Sequence, residues 1–185
     1  MAEFVETDLP GVVLVDPEVY GDERGFFLET YHEAEYRRRG IPERFVQDNH
    51  SRSIHGILRG LHGQSPDGQG KLVRAIEGEV FDVAVDVRLG SPTFGKHVSV
   101  VLSAENFRQI YVPPGMVHGF VVTSDVAQVA YKVTSFYRPE QEFGVRWDDP
   151  ELAIPWPIDE PVLSRKDRDA PFLSEVKELL IPYRG

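Results

Sequence analysis

The chain has no cysteine. That excludes a disulfide framework, thiolate catalysis and any cysteine-ligated zinc or iron–sulfur centre. It also lacks any apolar run near the roughly 20 residues a membrane helix needs, so no membrane partner is expected. The opening MAEFVETDLPG has neither the basic nor the apolar segment of a signal peptide, and a cytoplasmic location is the expectation. Positive charge is in short supply: 20 Lys and Arg stand against 30 Asp and Glu, a formal net charge of −10. A field of that sign argues against nucleic acid as a partner. It does not argue against a small anion, because a pocket answers to its local charges. Arg24, Arg59, Lys71, Arg74 and Lys166 are the candidates for a locally positive pocket.

What is present reads as one globular domain spanning residues 1–185, at 41% hydrophobic and 27% charged. Repeats, linkers and low-complexity segments are missing. Most of the chain is short strand patterns between turn residues. Phe26-Phe27-Leu28 follows the turn-like GDERG of 21–25, and KLVRAIEGEVFDVAVDVR (71–88) breaks at Glu77-Gly78 like a hairpin. In its second half Phe81, Val83, Val85 and Val87 alternate with Val80, Asp82, Ala84 and Asp86, the period of a strand with two different faces. HVSVVLS (97–103), RQIYVPPG (108–115), HGFVVTS (118–124) and AQVAYKVTSFY (127–137) continue the pattern. Two short helices are predicted, over 32–40 with Arg37, Arg38 and Arg39 in its last turn, and over 173–180 with Ser174 as N-cap. Tandem turns, β-branched runs and sparse helices predict an all-β jelly roll or barrel.

Two spacings carry chemistry: Gly56-x5-His62-x-Gln64, and Pro113-x-Gly115-x-x-His118. They look like the two motifs of the cupin jelly roll, in which both histidines point into the barrel. Metal-binding cupins read His-x-His followed by a glutamate. Here Gln64 replaces the second histidine, and Gly68 and Gln69 fill the glutamate window. A carboxamide is a poor divalent-metal ligand, and two histidines fall short of the usual three protein ligands. No metal is therefore expected. One geometric condition follows. Arg59 and His62 are three positions apart and would point to opposite faces of a regular strand. If both serve one site the strand must bulge, and Gly60 is the suitable place.

The wider set is more specific. DERGFFLETY (22–31), QDNHSRS (47–53), GILRGLHGQ (56–64), GKLVRAIEGEVFDVAVDVRLGSPTFGK (70–96), VPPGMVHGF (112–120), YKVTSFY (131–137) and LSRKDRDAP (163–171) occur in this order. Together they closely resemble the dTDP-4-dehydrorhamnose 3,5-epimerase family over nearly the whole chain. The resemblance implies a cupin-type jelly roll with a few short peripheral helices, and a homodimer with exchanged N-terminal strands. It also implies no metal or organic cofactor. The implied activity is inversion of dTDP-4-keto-6-deoxy-D-glucose at C3 and C5 through an enolate. That chemistry needs a base, an acid on the other face of the ring, and a positive group by the oxyanion.

The resemblance carries the histidine–aspartate dyad to His62 and Asp167, with Asp169 a rival two residues on, and the acid to Tyr131. Lys71 and Arg59 fit the cation near the C4 oxygen, with the sugar or diphosphate as an alternative for Arg59. His118 fits a pocket-lining place. Arg24 matches a phosphate-contacting arginine expected from a partner subunit, with Phe26 and Glu29 as its neighbours. Gln47 and Asn49 read as sugar or nucleotide contacts, Tyr137 as a neighbour of the thymine, and Lys166 as a further substrate contact.

Many family members carry an aromatic residue directly after the active histidine. Gly63 stands there here, which removes bulk beside the base and bears on which carbons are inverted. The alternatives are a mono-epimerase acting at C3 or C5 only, a metal-dependent cupin enzyme using His62 and His118, and a sugar-nucleotide-binding protein without activity.

Overall fold

The computed structural model describes residues 2–41 and 44–184. In chain order the strands are β1 (Glu3–Glu6), β2 (Val13–Asp16), β3 (Val19–Asp22), β4 (Gly25–Leu28), β5 (Gln47–Ile54), β6 (Ile57–Gln64) and β7 (Lys71–Glu77). They continue as β8 (Glu79–Val85), β9 (His97–Ser103), β10 (Gln109–Val112), β11 (Val117–Val122), β12 (Val126–Val133), β13 (Glu142–Gly144) and β14 (Val162–Leu163). Two short α-helices, α1 (Glu33–Arg38) and α2 (Arg165–Arg168), lie outside the sheets.

The strands form two main sheets, ordered β1-β2-β10-β7-β12-β5 and β13-β6-β11-β8-β9, with β14 added parallel to β6. From β5 to β12 the chain alternates between the sheets except at the β8–β9 pair, which stays in the second sheet, an arrangement of the predicted jelly-roll class. Alternation along each strand decides what lies between the sheets. Val73 and Ala75 of β7, Ile110 and Val112 of β10, and Ala127 and Val129 of β12 meet Val80, Ala84, Leu102, Phe120 and Val122 from the second sheet. Each such side chain contributes about 1.5–3 kcal/mol by leaving water.

Both outer faces are covered as well. Val83 and Val85 pack with Val145, Leu152, Leu173, Val176 and Leu180 from the later chain. Val13, Val15, Leu72 and Tyr111 pack with Tyr36 and Ile41 around α1. Hence β8 is buried on both faces, although its sequence alternates.

The break at Glu77-Gly78 is not the expected hairpin: β7 and β8 are unpaired and lie in different sheets, and the chain crosses between them at Gly78, with φ +67°. A Cβ there would stand 1.9 Å from the Val126 carbonyl oxygen, so only glycine fits. The first predicted helix forms as α1, capped by His32, whose Nδ1 accepts the Glu35 amide. The second does not form. Residues 173–180 make two short 3₁₀ turns, Leu173–Glu175 and Lys177–Leu179, and Ser174 caps neither. Leu173, Val176 and Leu180 are all drawn onto the outer face of β8. Asp149 holds the Leu173 amide at 2.7 Å, and Leu89 bridges to Pro182 just beyond. These tertiary anchors override a modest helix propensity.

Candidate active site

At one end of the sandwich the inward-facing residues turn polar and line a cleft of about 410 Å³. Gln47, Asn49 and Ser51 of β5, Lys71 of β7 and Tyr131 of β12 come from the first sheet. Arg59 and His62 of β6, His118 and Phe120 of β11, and Glu142 of β13 come from the second. Tyr137, Gln69, Ser164, Lys166 and Asp167 from loops and α2, with the Gly63 backbone of β6, complete the wall.

Arg59 and His62 do share the cleft, and the cause is the bulge expected at Gly60. Across β11, His118 pairs with His62 and Phe120 with Arg59, so Gly60 and Leu61 together oppose Gly119. Gly60 has φ +130°, and a Cβ on it would lie 2.5 Å from Gly119 Cα. The extra residue returns the two polar side chains to one face.

His62 Nε2 lies 2.5 Å from Asp167 Oδ1. Asp167 is delivered by a local device. β14 runs parallel to β6 at Ile57 and Leu58, and α2 follows at once. Ser164 caps α2: its hydroxyl accepts the Asp167 amide at 3.1 Å and donates to Asp167 Oδ2 at 2.7 Å. Burial works to raise the Asp167 carboxyl, but the hydrogen bonds from His62 and Ser164 outweigh it and hold it below its ordinary value. A carboxylate only accepts, so Nε2 carries the proton and Nδ1 is left as the basic nitrogen. The rival Asp169 is exposed and pairs with Arg165 at 3.5 Å.

Tyr131 stands on the other sheet, in register between Asn49 and Val73. Burial raises its phenol, against the nearby Arg59 charge and with that of Glu142. Lys71 is buried and donates to the His62 carbonyl at 3.4 Å. Burial lowers its ammonium to about 8, while the charges of Glu142 and Asp82 push the other way. His118 is taken up by Asp82, with Nε2 2.9 Å from both carboxylate oxygens. The Arg59 Nε donates to Ser53 Oγ at 3.1 Å.

Gln64 and Gln69, at the positions where metal-binding cupins place ligands, hold the loop after β12 instead. Gln64 donates to Ser135 Oγ and accepts the Arg138 amide; Gln69 donates to the Ser135 carbonyl. That loop carries Tyr137, whose amide donates to Gln47 Oε1 at 3.1 Å.

Arg24, Phe26 and Glu29 are not in this chain's cleft. They sit on or beside the β3–β4 hairpin, where Tyr20, Phe26 and Phe27 are 56%, 61% and 69% exposed and Arg24 pairs with Asp22. The consequence expected from Gly63 also differs. A Cβ there would meet Phe143 Cζ at 2.6 Å and Val117 Cγ1 at 3.1 Å. The Gly63 backbone borders the cleft, but its Cβ direction faces the apolar cluster behind β6, where Phe143 fills the space a side chain at 63 would take.

The sequence analysis singles out neither Glu142 nor Asp82, and it holds Ser164 only as part of the 163–171 motif. Glu142 accepts the Tyr137 hydroxyl at 2.7 Å and ion-pairs with Lys166. Burial works to raise its carboxyl, but the hydrogen bonds from Lys166 and Tyr137 outweigh it and hold it low.

An imidazole–carboxylate pair, a phenol and a buried amine around a jelly-roll cleft define a cupin-type sugar-isomerase architecture. The chain belongs to the dTDP-4-dehydrorhamnose 3,5-epimerase family, whose profile matches residues 6–175. It is 57% identical to the dTDP-4-dehydrorhamnose 3,5-epimerase of Pseudomonas aeruginosa over 86% of this chain and 90% of that one. The structure superposes with TM-score 0.97 and 50% identity on a dTDP-6-deoxy-D-glucose-3,5-epimerase of Legionella pneumophila in complex with dTDP-4-keto-L-rhamnose, covering 100% of both chains. A dTDP-4-dehydrorhamnose 3-epimerase of Streptomyces niveus is 42% identical over 92% of this chain and 83% of that one.

Proposed function

We propose that this chain converts dTDP-4-keto-6-deoxy-D-glucose to dTDP-4-keto-L-rhamnose by inverting C3 and C5. The observation that carries the reading is that His62 and Tyr131 enter one cleft from opposite sheets. A sugar ring lying between them has one group on each face. The C4 carbonyl acidifies the protons on both C3 and C5. His62 Nδ1 takes one, the enolate charge gathers on the C4 oxygen beside the Lys71 ammonium, and Tyr131 returns a proton from the other face. Asp167 holds the imidazole in its tautomer and supports the imidazolium. Between inversions the phenolate and imidazolium re-equilibrate with solvent.

In this reading the sugar and thymidine lie against Gln47, Asn49, His118 and Tyr137, and the diphosphate draws on Arg59 and Lys166. The exposed hairpin supports a homodimer in which Arg24, Phe26 and Glu29 reach a second copy's cleft, with the Arg24 guanidinium on the diphosphate. No step calls for a metal or organic cofactor, and the enzyme works in the cytoplasm. Among the described residues no helix is long and apolar enough to cross a membrane.

The test is product identity by NMR, with and without a strong chelator. Formation of dTDP-4-keto-L-rhamnose that survives chelation supports the reading, and loss of turnover on chelation overturns it. The similarity to a 3-epimerase keeps inversion at C3 alone as the second reading, which a C3 epimer as sole product would establish.

A further inference from the structure

Arg59 is the one arginine lining the cleft among the described residues, and no carboxylate pairs with it there. The nearby acids are taken: Glu142 meets Lys166, Asp167 meets His62, and Asp82 meets His118. A long side chain left without an ion pair would turn through many rotamers before an anion arrives. One contact stops it. The Arg59 Nε donates to Ser53 Oγ at 3.1 Å, the only hydrogen bond its guanidinium makes among the described residues.

Ser53 is placed for this by alternation along β5. Gln47, Asn49 and Ser51 take the inward positions that line the cleft. Ser53 is the next inward position, pairs with Ala127 of β12, and is 7% exposed. It stands where the polar wall gives way to the dry core, and a hydroxyl buried there needs a partner. The chain then turns at His55-Gly56 and passes to the second sheet, so β6 carries Arg59 back over Ser53. The bulge at Gly60 sets Arg59 on the cleft face, and Ser53 fixes the far end of its side chain. A guanidinium held by Nε keeps its Nη1–Nη2 edge, which can fork a phosphate. We propose that Ser53 is a positioning residue: its hydroxyl holds Arg59 by Nε and turns the Nη1–Nη2 edge toward the substrate diphosphate before the nucleotide arrives. A fork set in advance has less freedom to lose on binding. The proposal rests on the reading of Arg59 as a diphosphate contact.

The test is calorimetric binding of dTDP to the wild type, S53A, R59M and the double variant, with kinetics on the 4-keto sugar beside it. Ser53→Ala is expected to weaken dTDP by about three- to tenfold and to raise KM in step, with kcat kept within about twofold. In the R59M background the same change is expected to add nothing, because its effect passes through Arg59. Ser53→Thr keeps the hydroxyl and is expected to bind as the wild type does. Ser53→Cys keeps the size, offers only a weak acceptor, and is expected to follow S53A; it serves in its place if S53A does not fold. Wild-type affinity in S53A while R59M is weakened, or an equal loss with and without Arg59, overturns the proposal. Wild-type affinity in R59M overturns the reading of Arg59 and the proposal with it. Because dTDP binding needs no turnover, a chain inactive on the 4-keto sugar overturns the catalytic reading and leaves this test standing.

Discussion

The two ends of the sandwich are built from the same strands and hold opposite chemistry. On β7 the inward positions run Lys71, Val73, Ala75; on β12 they run Tyr131, Val129, Ala127; on β11 they run His118, Phe120, Val122. Moving two residues along a strand passes from the cleft to a dry core without changing the ladder beneath. The closed end supplies stability, and the polar end draws on it: a buried ammonium and a buried aspartate–histidine pair carry desolvation costs that apolar side chains would not. Rigid strands fix the cleft groups relative to one another because their neighbours two residues away are packed.

The largest break in that comparison is at the base. His62→Ala is expected to cut kcat by about two to four orders of magnitude, with KM changed only a few-fold. Asp167→Asn, which leaves the tautomer unfixed, should show the same split to a lesser degree. A mutant that loses affinity but keeps kcat would remove His62 from the chemistry. Leu102→Ala at the closed end should do the reverse, lowering stability by about 2–5 kcal/mol in urea unfolding while leaving kcat and KM close to wild type.

Lys71→Met sharpens the contrast further, since it makes the polar end resemble the closed one. Turnover should vanish while stability at neutral pH rises by about 1–3 kcal/mol. The sign follows from linkage. Burial lowers the folded Lys71 to about 8 while the unfolded one keeps its ordinary value of 10.5, so between them the unfolded state binds more protons. The wild type gains stability with rising pH across that window, and the advantage of K71M shrinks there. Gly63→Ala is the smallest change. The new methyl meets Phe143, so about 1–3 kcal/mol of stability is lost and the product is unaltered. A changed product would show that bulk at position 63 reaches the substrate.

Much of this contrast is visible in the sequence. Period-2 alternation predicts the strands, and the three-residue spacing of Arg59 and His62 already demands the bulge that Gly60 forms. The Ser164 to Asp167 segment reads as a motif because its cap is local. What is not visible depends on distant register. Asp82 looks like one more polar position in an alternating strand until His118 arrives from 36 residues away. Glu142, in PEQEF, looks like surface charge until β13 lies against β6. The segment 173–180 carries helix-forming residues, but its apolar anchors belong to the back of β8.

The central claim, that the polar end moves protons on both faces of a sugar, is tested most directly by proton NMR of dTDP-4-keto-6-deoxyglucose in heavy water with the enzyme. Loss of both the C3 and the C5 proton signals, and of neither with H62A, is the predicted result. Retention of both signals with the wild-type enzyme would contradict it.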